Sequence, residues 1–152
     1  MKSFKRGCEF ILEKENLPYI ILLTHGNWGQ ELIKSAEMIC GTLKNVYAFP
    51  LQPAQSTNDY MVNIESVVKT APKGSIIIAD LFRGTTSNIA AAISAKYDVI
   101  ALSGLNIAML IEANEYRTKY KGEELSEKLI EKATENCKNI GKILRESKYL
   151  MK

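Results

Sequence analysis

The chain has 152 residues, 46% hydrophobic and 24% charged, with 20 Lys and Arg against 17 Asp and Glu for a net charge of +3. That length buries one sizeable core, and the scattered charges, with no basic stripe interleaved with aromatics, argue against a nucleic-acid partner. Cys8, Cys40 and Cys137 lack C-x-x-C spacing and a single histidine completes no His/Cys metal set, so free thiols of a cytoplasmic protein are expected and no metal.

Residues 1–17 begin basic, but their apolar part is only FIL over 10–12, too short for a secretion signal. They read as an N-terminal extension to a single domain over 18–152. No apolar run reaches the length of a membrane span. YIILLT over 19–24 is short, continuous and rich in Ile and Leu, as a strand buried on both faces should be. Leu32, Ile33, Ala36, Ile39 and Leu43 then recur at helical spacing, and Gly41 lies near that helix's end. VYAFPL over 46–51 predicts a second strand. The polar loop QPAQSTN over 52–58 follows, with Ser56 and Asp59 spaced as a capping box. Tyr60, Ile64, Val67, Val68 and Ala71 make the next helical stripe. SIIIAD over 75–80 is the third strand, and RGTTSN over 83–88 leads into a helix at about 87–96. DVIAL over 98–102 is the fourth strand. Asn106 caps a helix over 107–119, and Leu125, Leu129, Ala133, Cys137 and Ile140 mark the last one.

Four strand-helix units predict an α/β fold with a doubly wound parallel sheet. In such sheets ligands bind beyond the carboxyl ends of the strands, where the strand order reverses. Strand 1 delivers Thr24 and His25 there, strand 3 Asp80, and strand 4 Ser103, Gly104 and Asn106. With the order 2-1-3-4, His25 and Asp80 flank one crevice. A neutral imidazole is a nucleophile at one ring nitrogen when an acceptor holds a proton on the other. Asp80 supplies that acceptor. A phosphoryl group on His25 would meet Gly84, Thr85, Thr86 and Ser87, where a helix start offers backbone N–H groups and hydroxyl donors. Singly, each feature has a structural explanation: a hydrogen-bonded His, a turn-capping Asp, an ordinary N-cap. Their coincidence at two buried strand ends points to chemistry.

LTHGNWGQELIKSAEMICG over 23–41, IIIADLFRGTTSNIAA over 76–91 and VIALSGLNIAMLIE over 99–112 together resemble the enzyme IIA domain of the mannose family of the phosphoenolpyruvate-dependent sugar phosphotransferase system. The likeness covers about residues 18–145. It implies that His25 is the phosphorylated histidine, charged by the histidine-containing phosphocarrier protein and discharged to enzyme IIB during sugar uptake. It implies that Asp80 hydrogen-bonds that histidine and that Thr85 belongs to the loop receiving the phosphoryl group. No cofactor is required. The resemblance further implies a homodimer that exchanges a C-terminal antiparallel strand, here GKILR over 141–145, and only peripheral association with membrane permease components. Sugar choice would belong to those components.

The family's D-x-x-G-G-[ST]-P pattern is altered here, with Arg83 in place of the first Gly and Thr86 in place of the Pro. Arg83 either stabilises an incoming phosphate, faces an acidic or phosphorylated partner, or is simply solvated. The alternatives are the phosphocarrier subunit of a dihydroxyacetone kinase system and a regulatory domain that reports phosphorylation. A histidine phosphatase would need a second His, and no G-x-S-x-G, Walker A or G-x-G-x-x-G motif is present.

Overall fold

The third strand run places Ile76 and Ile78 on one side of the sheet and Ile77 and Ala79 on the other, all with no exposed surface. Ile20 and Leu22 of the first strand divide from Ile21 and Leu23 in the same way. A strand apolar on both faces needs helices on both, and the computed structural model, described for residues 16–150, has them. The elements are β1 (Ile20–His25), α1 (Trp28–Cys40), β2 (Val46–Leu51), α2 (Thr57–Val68), β3 (Ile76–Ala79), α3 (Thr85–Lys96), β4 (Ile100–Ser103), α4 (Ile107–Tyr116), α5 (Gly122–Glu135) and α6 (Ile140–Leu150).

The four strands are parallel in the order β2-β1-β3-β4, as expected. Register is in step, with Leu22 beside both Ala48 and Ile78, and Ile78 beside Leu102. One face packs on Ala36 of α1, Met109, Leu110 and Ala113 of α4, and Leu125, Leu129 and Ala133 of α5. The other packs on Tyr60, Ile64 and Val68 of α2 and Ile89, Ala90 and Ile93 of α3. β2 and β4 are the edges, which is why β2 tolerates Pro50. Ser56 and Asn106 cap α2 and α4, accepting from the N–H groups of Asp59 and Met109.

At the amino ends of the strands lies a fully buried base that the periodicity did not single out. The guanidinium of Arg117, just past α4, donates to the carbonyls of Pro18 at 2.6 Å and Lys44 at 2.7 Å and to the side chain of Asn114 at 2.9 Å. It thereby ties together the chain entering β1 and the chain entering β2. Burial lowers its pKa to about 10, so it stays charged at neutral pH.

The C-terminal segment departs from expectation. Residues 141–145 are not a strand: they lie within the helix α6. Ile140, Ile143 and Leu144 recur at helical spacing, and a helix satisfies its own backbone, starting with Lys142 and Ile143 donating to Asn139. A strand here would present an unpaired edge until a second chain supplied one. The predicted helix over 107–119 is also shorter, ending at Tyr116, and Ile140 opens α6 rather than closing α5. Most of the expected extension over 1–17 lies outside the described residues. Among those described, no helix is long and apolar enough to cross a membrane.

Candidate functional site

His25 is the last residue of β1, and Asp80 directly follows β3, its neighbour in the sheet. The ladder continues one step past β3, the Asp80 N–H donating to the Leu23 carbonyl at 2.9 Å. This fixes where the carboxylate emerges. Its Oδ2 accepts from the His25 backbone N–H at 2.8 Å and lies 2.9 Å from the His25 Nδ1. Its Oδ1 accepts from the Thr86 hydroxyl at 2.8 Å. Burial pushes the Asp80 carboxyl up, but the His25 N–H, the imidazole and the Thr86 hydroxyl outweigh it and hold the pKa below the ordinary value. The carboxylate is thus ionised at neutral pH, with its oxygens occupied on two sides.

The imidazole is half exposed, at 49%, while the Asp80 side chain is 9% exposed. With Nδ1 turned to the carboxylate as a donor, Nε2 keeps its lone pair and faces away. Beside it lies a depression lined by His25, Gly26, Leu51, Gln52, Pro53, Gln55, Thr57 and Thr85. Gly84 closes the other flank: a Cβ there would stand 3.4 Å from the His25 Cε1. A methyl at 84 would already lie in van der Waals contact with the ring.

The other predicted residues divide into two groups. Thr85 opens α3 and reaches the depression, and as first residue of the helix it adds an unsatisfied N–H beside a favourable dipole. Thr86 and Ser87 were expected as hydroxyl donors to an anion. Thr86 is instead fully buried and committed to Asp80. The Ser87 hydroxyl accepts from the Gly84 N–H at 3.0 Å and donates to its carbonyl at 2.9 Å, stapling the loop. Arg83 is exposed, with φ of +63°, the left-handed region that a glycine would enter freely. Its guanidinium lies over the Phe82 ring, 5.6 Å from the centroid. Ser103, Gly104 and Asn106 serve the turn into α4, the Asn106 amide donating to the Gly104 carbonyl at 3.4 Å.

Two supports escaped the sequence reading. Gln52 and Gln55 line the depression, and the Gln52 amide donates to Asn27 at 2.9 Å, joining the loops after β1 and β2. Their position at the carboxyl end of the strand beside β1 was the available signal. Gly29 packs α1 onto β1, since a Cβ there would come within 2.9 Å of the Thr24 methyl. Thr24 is fully buried and donates to the Gly26 carbonyl at 2.8 Å, shaping the turn that lifts His25 clear.

Fold and site define a class: a parallel α/β domain presenting a carboxylate-braced imidazole at the point where its strand order reverses. Residues 19–130 match the family EIIA-man, described as the fructose IIA component of the phosphotransferase system, and the chain belongs to that family. The chain is 32% identical over 98 residues to the mannose-specific EIIAB component of the phosphotransferase system of Escherichia coli K12, a match covering 61% of this chain and 30% of that protein. It therefore spans under a third of that relative's length. The structure of the phosphotransferase system component EIIA from Streptococcus agalactiae superposes with a TM-score of 0.76 at 30% identity, covering 82% of this chain and 98% of that one. The mannose/sorbose-specific IIA subunit from Enterococcus faecalis gives 0.73 at 26% identity, over 80% and 93% of the two chains.

Proposed function

We propose that this protein is a phosphocarrier whose His25 Nε2 accepts a phosphoryl group from the histidine-containing phosphocarrier protein and passes it to enzyme IIB. The observation that carries the reading is the 2.9 Å contact from Nδ1 to the Asp80 carboxylate, which leaves Nε2 as the open nitrogen. In the first transfer the Nε2 lone pair attacks phosphorus as the donor's N–P bond breaks. The donor ring keeps its electron pair, and the His25 ring gains positive charge. The Nδ1 proton stays in place, and Asp80 stabilises the cationic ring. The second transfer reverses these roles toward the histidine of enzyme IIB. The phosphoryl oxygens meet the first turn of α3, where N–H groups and the helix dipole favour negative charge. Transfer between two histidines calls for no metal or organic cofactor.

The homodimer belongs to the same reading. Ile140, Ile143 and Leu144 of α6 are 69%, 49% and 56% exposed, an apolar stripe suited to a second copy. Association with membrane permease components would be peripheral, through enzyme IIB.

The test is transfer of labelled phosphate from phosphoenolpyruvate through the general components to wild type and His25→Ala. Acid-labile, base-stable label on the wild type alone is expected. Equal labelling of His25→Ala would sink the proposal.

A further inference from the structure

The carboxyl-end face of the sheet is almost uncharged. The loops following the strands, residues 26–27, 52–56, 80–84 and 104–106, hold one acid, Asp80, and one base, Arg83. Asp80 is already engaged by His25 and Thr86. The adjoining helix turns add Asp59 and Glu31, the latter paired with Lys34 at 2.8 Å. The loops at the opposite pole carry Lys44, Lys69, Lys73, Lys119, Lys121 and the buried Arg117 against one acid, Asp98. A basic net charge is therefore kept away from His25, with Arg83 the exception. Among the described residues Arg83 has no ion-pair partner, and it adopts a left-handed backbone that costs a β-carbon residue energy.

Its surroundings are apolar and exposed. Its chain neighbours Leu81 and Phe82 are 61% and 69% exposed. Two large exposed apolar side chains beside a guanidinium that has no ion-pair partner among the described residues have the make-up of a protein-recognition patch. The guanidinium rests on Phe82 and does not line the depression beside His25. This placement favours a partner's side chain over the phosphoryl group as its ligand.

We propose that Arg83 is a partner-specificity residue, whose guanidinium, carried on Phe82, pairs with a carboxylate on the protein that exchanges phosphoryl with His25. The proposal rests on the phosphocarrier reading and deepens it. The partner it fits presents an acidic side chain beside an apolar patch, so that Phe82 is covered as the ion pair forms. An Arg fork holds a carboxylate in a fixed direction, which sets the register of docking as well as its strength.

The test compares wild type, Arg83→Gly and Arg83→Glu with three reactants: the phosphorylated histidine-containing phosphocarrier protein as donor, enzyme IIB as acceptor, and phosphoramidate as a donor too small to dock. Phosphoramidate transfers its phosphoryl group to Nε2 as its P–N bond breaks and ammonia leaves. Arg83→Glu should raise KM for one protein partner about tenfold while kcat changes less than about twofold, as expected for a charge acting on encounter and docking. Wild-type KM for that partner should rise with salt, and Arg83→Gly should flatten the dependence. Labelling by phosphoramidate should follow wild type. Unchanged KM for both protein partners would overturn the proposal. So would parallel slowing with phosphoramidate, which would assign the guanidinium to the phosphoryl group. Wild type that takes label from no donor would instead remove the phosphocarrier reading itself. Arg83→Gly suits the left-handed backbone, so its melting temperature should equal or exceed that of wild type, confirming that the loop is intact.

Discussion

Replacing Asp80 by Asn removes a charge and keeps the shape. The carboxylate accepts three hydrogen bonds: from the His25 N–H at 2.8 Å, from Nδ1 at 2.9 Å and from Thr86 at 2.8 Å. An Asn oxygen facing His25 can keep the first two, while its NH2 donates to the Thr86 oxygen in place of the bond Thr86 donated. The fold should therefore survive. The anion that stabilises a cationic ring is lost, however, along with the charge assistance to the Nδ1 bond. A hydrogen bond to a charged group contributes about 1.5–3 kcal/mol, so transfer to His25 should slow roughly ten- to hundredfold. Rapid-quench measurement of label arriving on wild type and Asp80→Asn at equal donor concentration reads this directly. The same pair tests the linkage. Asp80 is held below its ordinary pKa, so the native state binds its proton less readily than the unfolded chain. Its stabilisation is complete above the unfolded value of about 4 and is lost as pH falls through the lower native value. Urea melts from pH 7 downward should show the wild type losing its advantage over Asp80→Asn in that window. Full-rate transfer by a folded Asp80→Asn would refute the role given to the carboxylate, and a pH-independent difference would refute its ionised state.

Three further substitutions test the scaffold beneath the site. Thr86→Val keeps the shape but leaves Asp80 Oδ1 without its donor; stability should fall by about 1–2 kcal/mol in chemical denaturation, and transfer should slow by less than in Asp80→Asn. Gly29→Ala drives a methyl to within 2.9 Å of Thr24, so a loss of about 1–3 kcal/mol is expected, read as a lower melting temperature. Arg117→Ala leaves the buried Pro18 carbonyl and the Lys44 carbonyl without their donor and opens a void; roughly 3 kcal/mol or more should be lost, with little recovery in Arg117→Lys, which lacks the planar fork.

The parallel sheet was legible because strands apolar on both faces alternate with stretches of helical period; its order, assumed as 2-1-3-4, came from the structure. The meeting of His25 and Asp80 was legible because each stands at the carboxyl end of a buried strand run. The turn of the Thr86 hydroxyl to Asp80 was not legible, because a hydroxyl beside a helix start serves an anion or a neighbouring carboxylate with the same local sequence. The strand over 141–145 was implied by the family resemblance alone, although Ile140, Ile143 and Leu144 already had the spacing of a helix face.

The sequence by itself determined the element types from β1 to α5, the helix caps at Ser56 and Asn106, and the presence of one imidazole and one carboxylate at the ends of buried strands. These follow from periodicity and from contacts a few residues apart. Only the tertiary structure decided that Nδ1 and not Nε2 meets Asp80, 55 residues away, that Thr86 serves that carboxylate, and that Arg117 reaches Pro18, 99 residues away. Such contacts depend on which elements become neighbours and at what register. Packing fixes that to fractions of an ångström, whereas a pattern of apolar residues fixes only which face is buried.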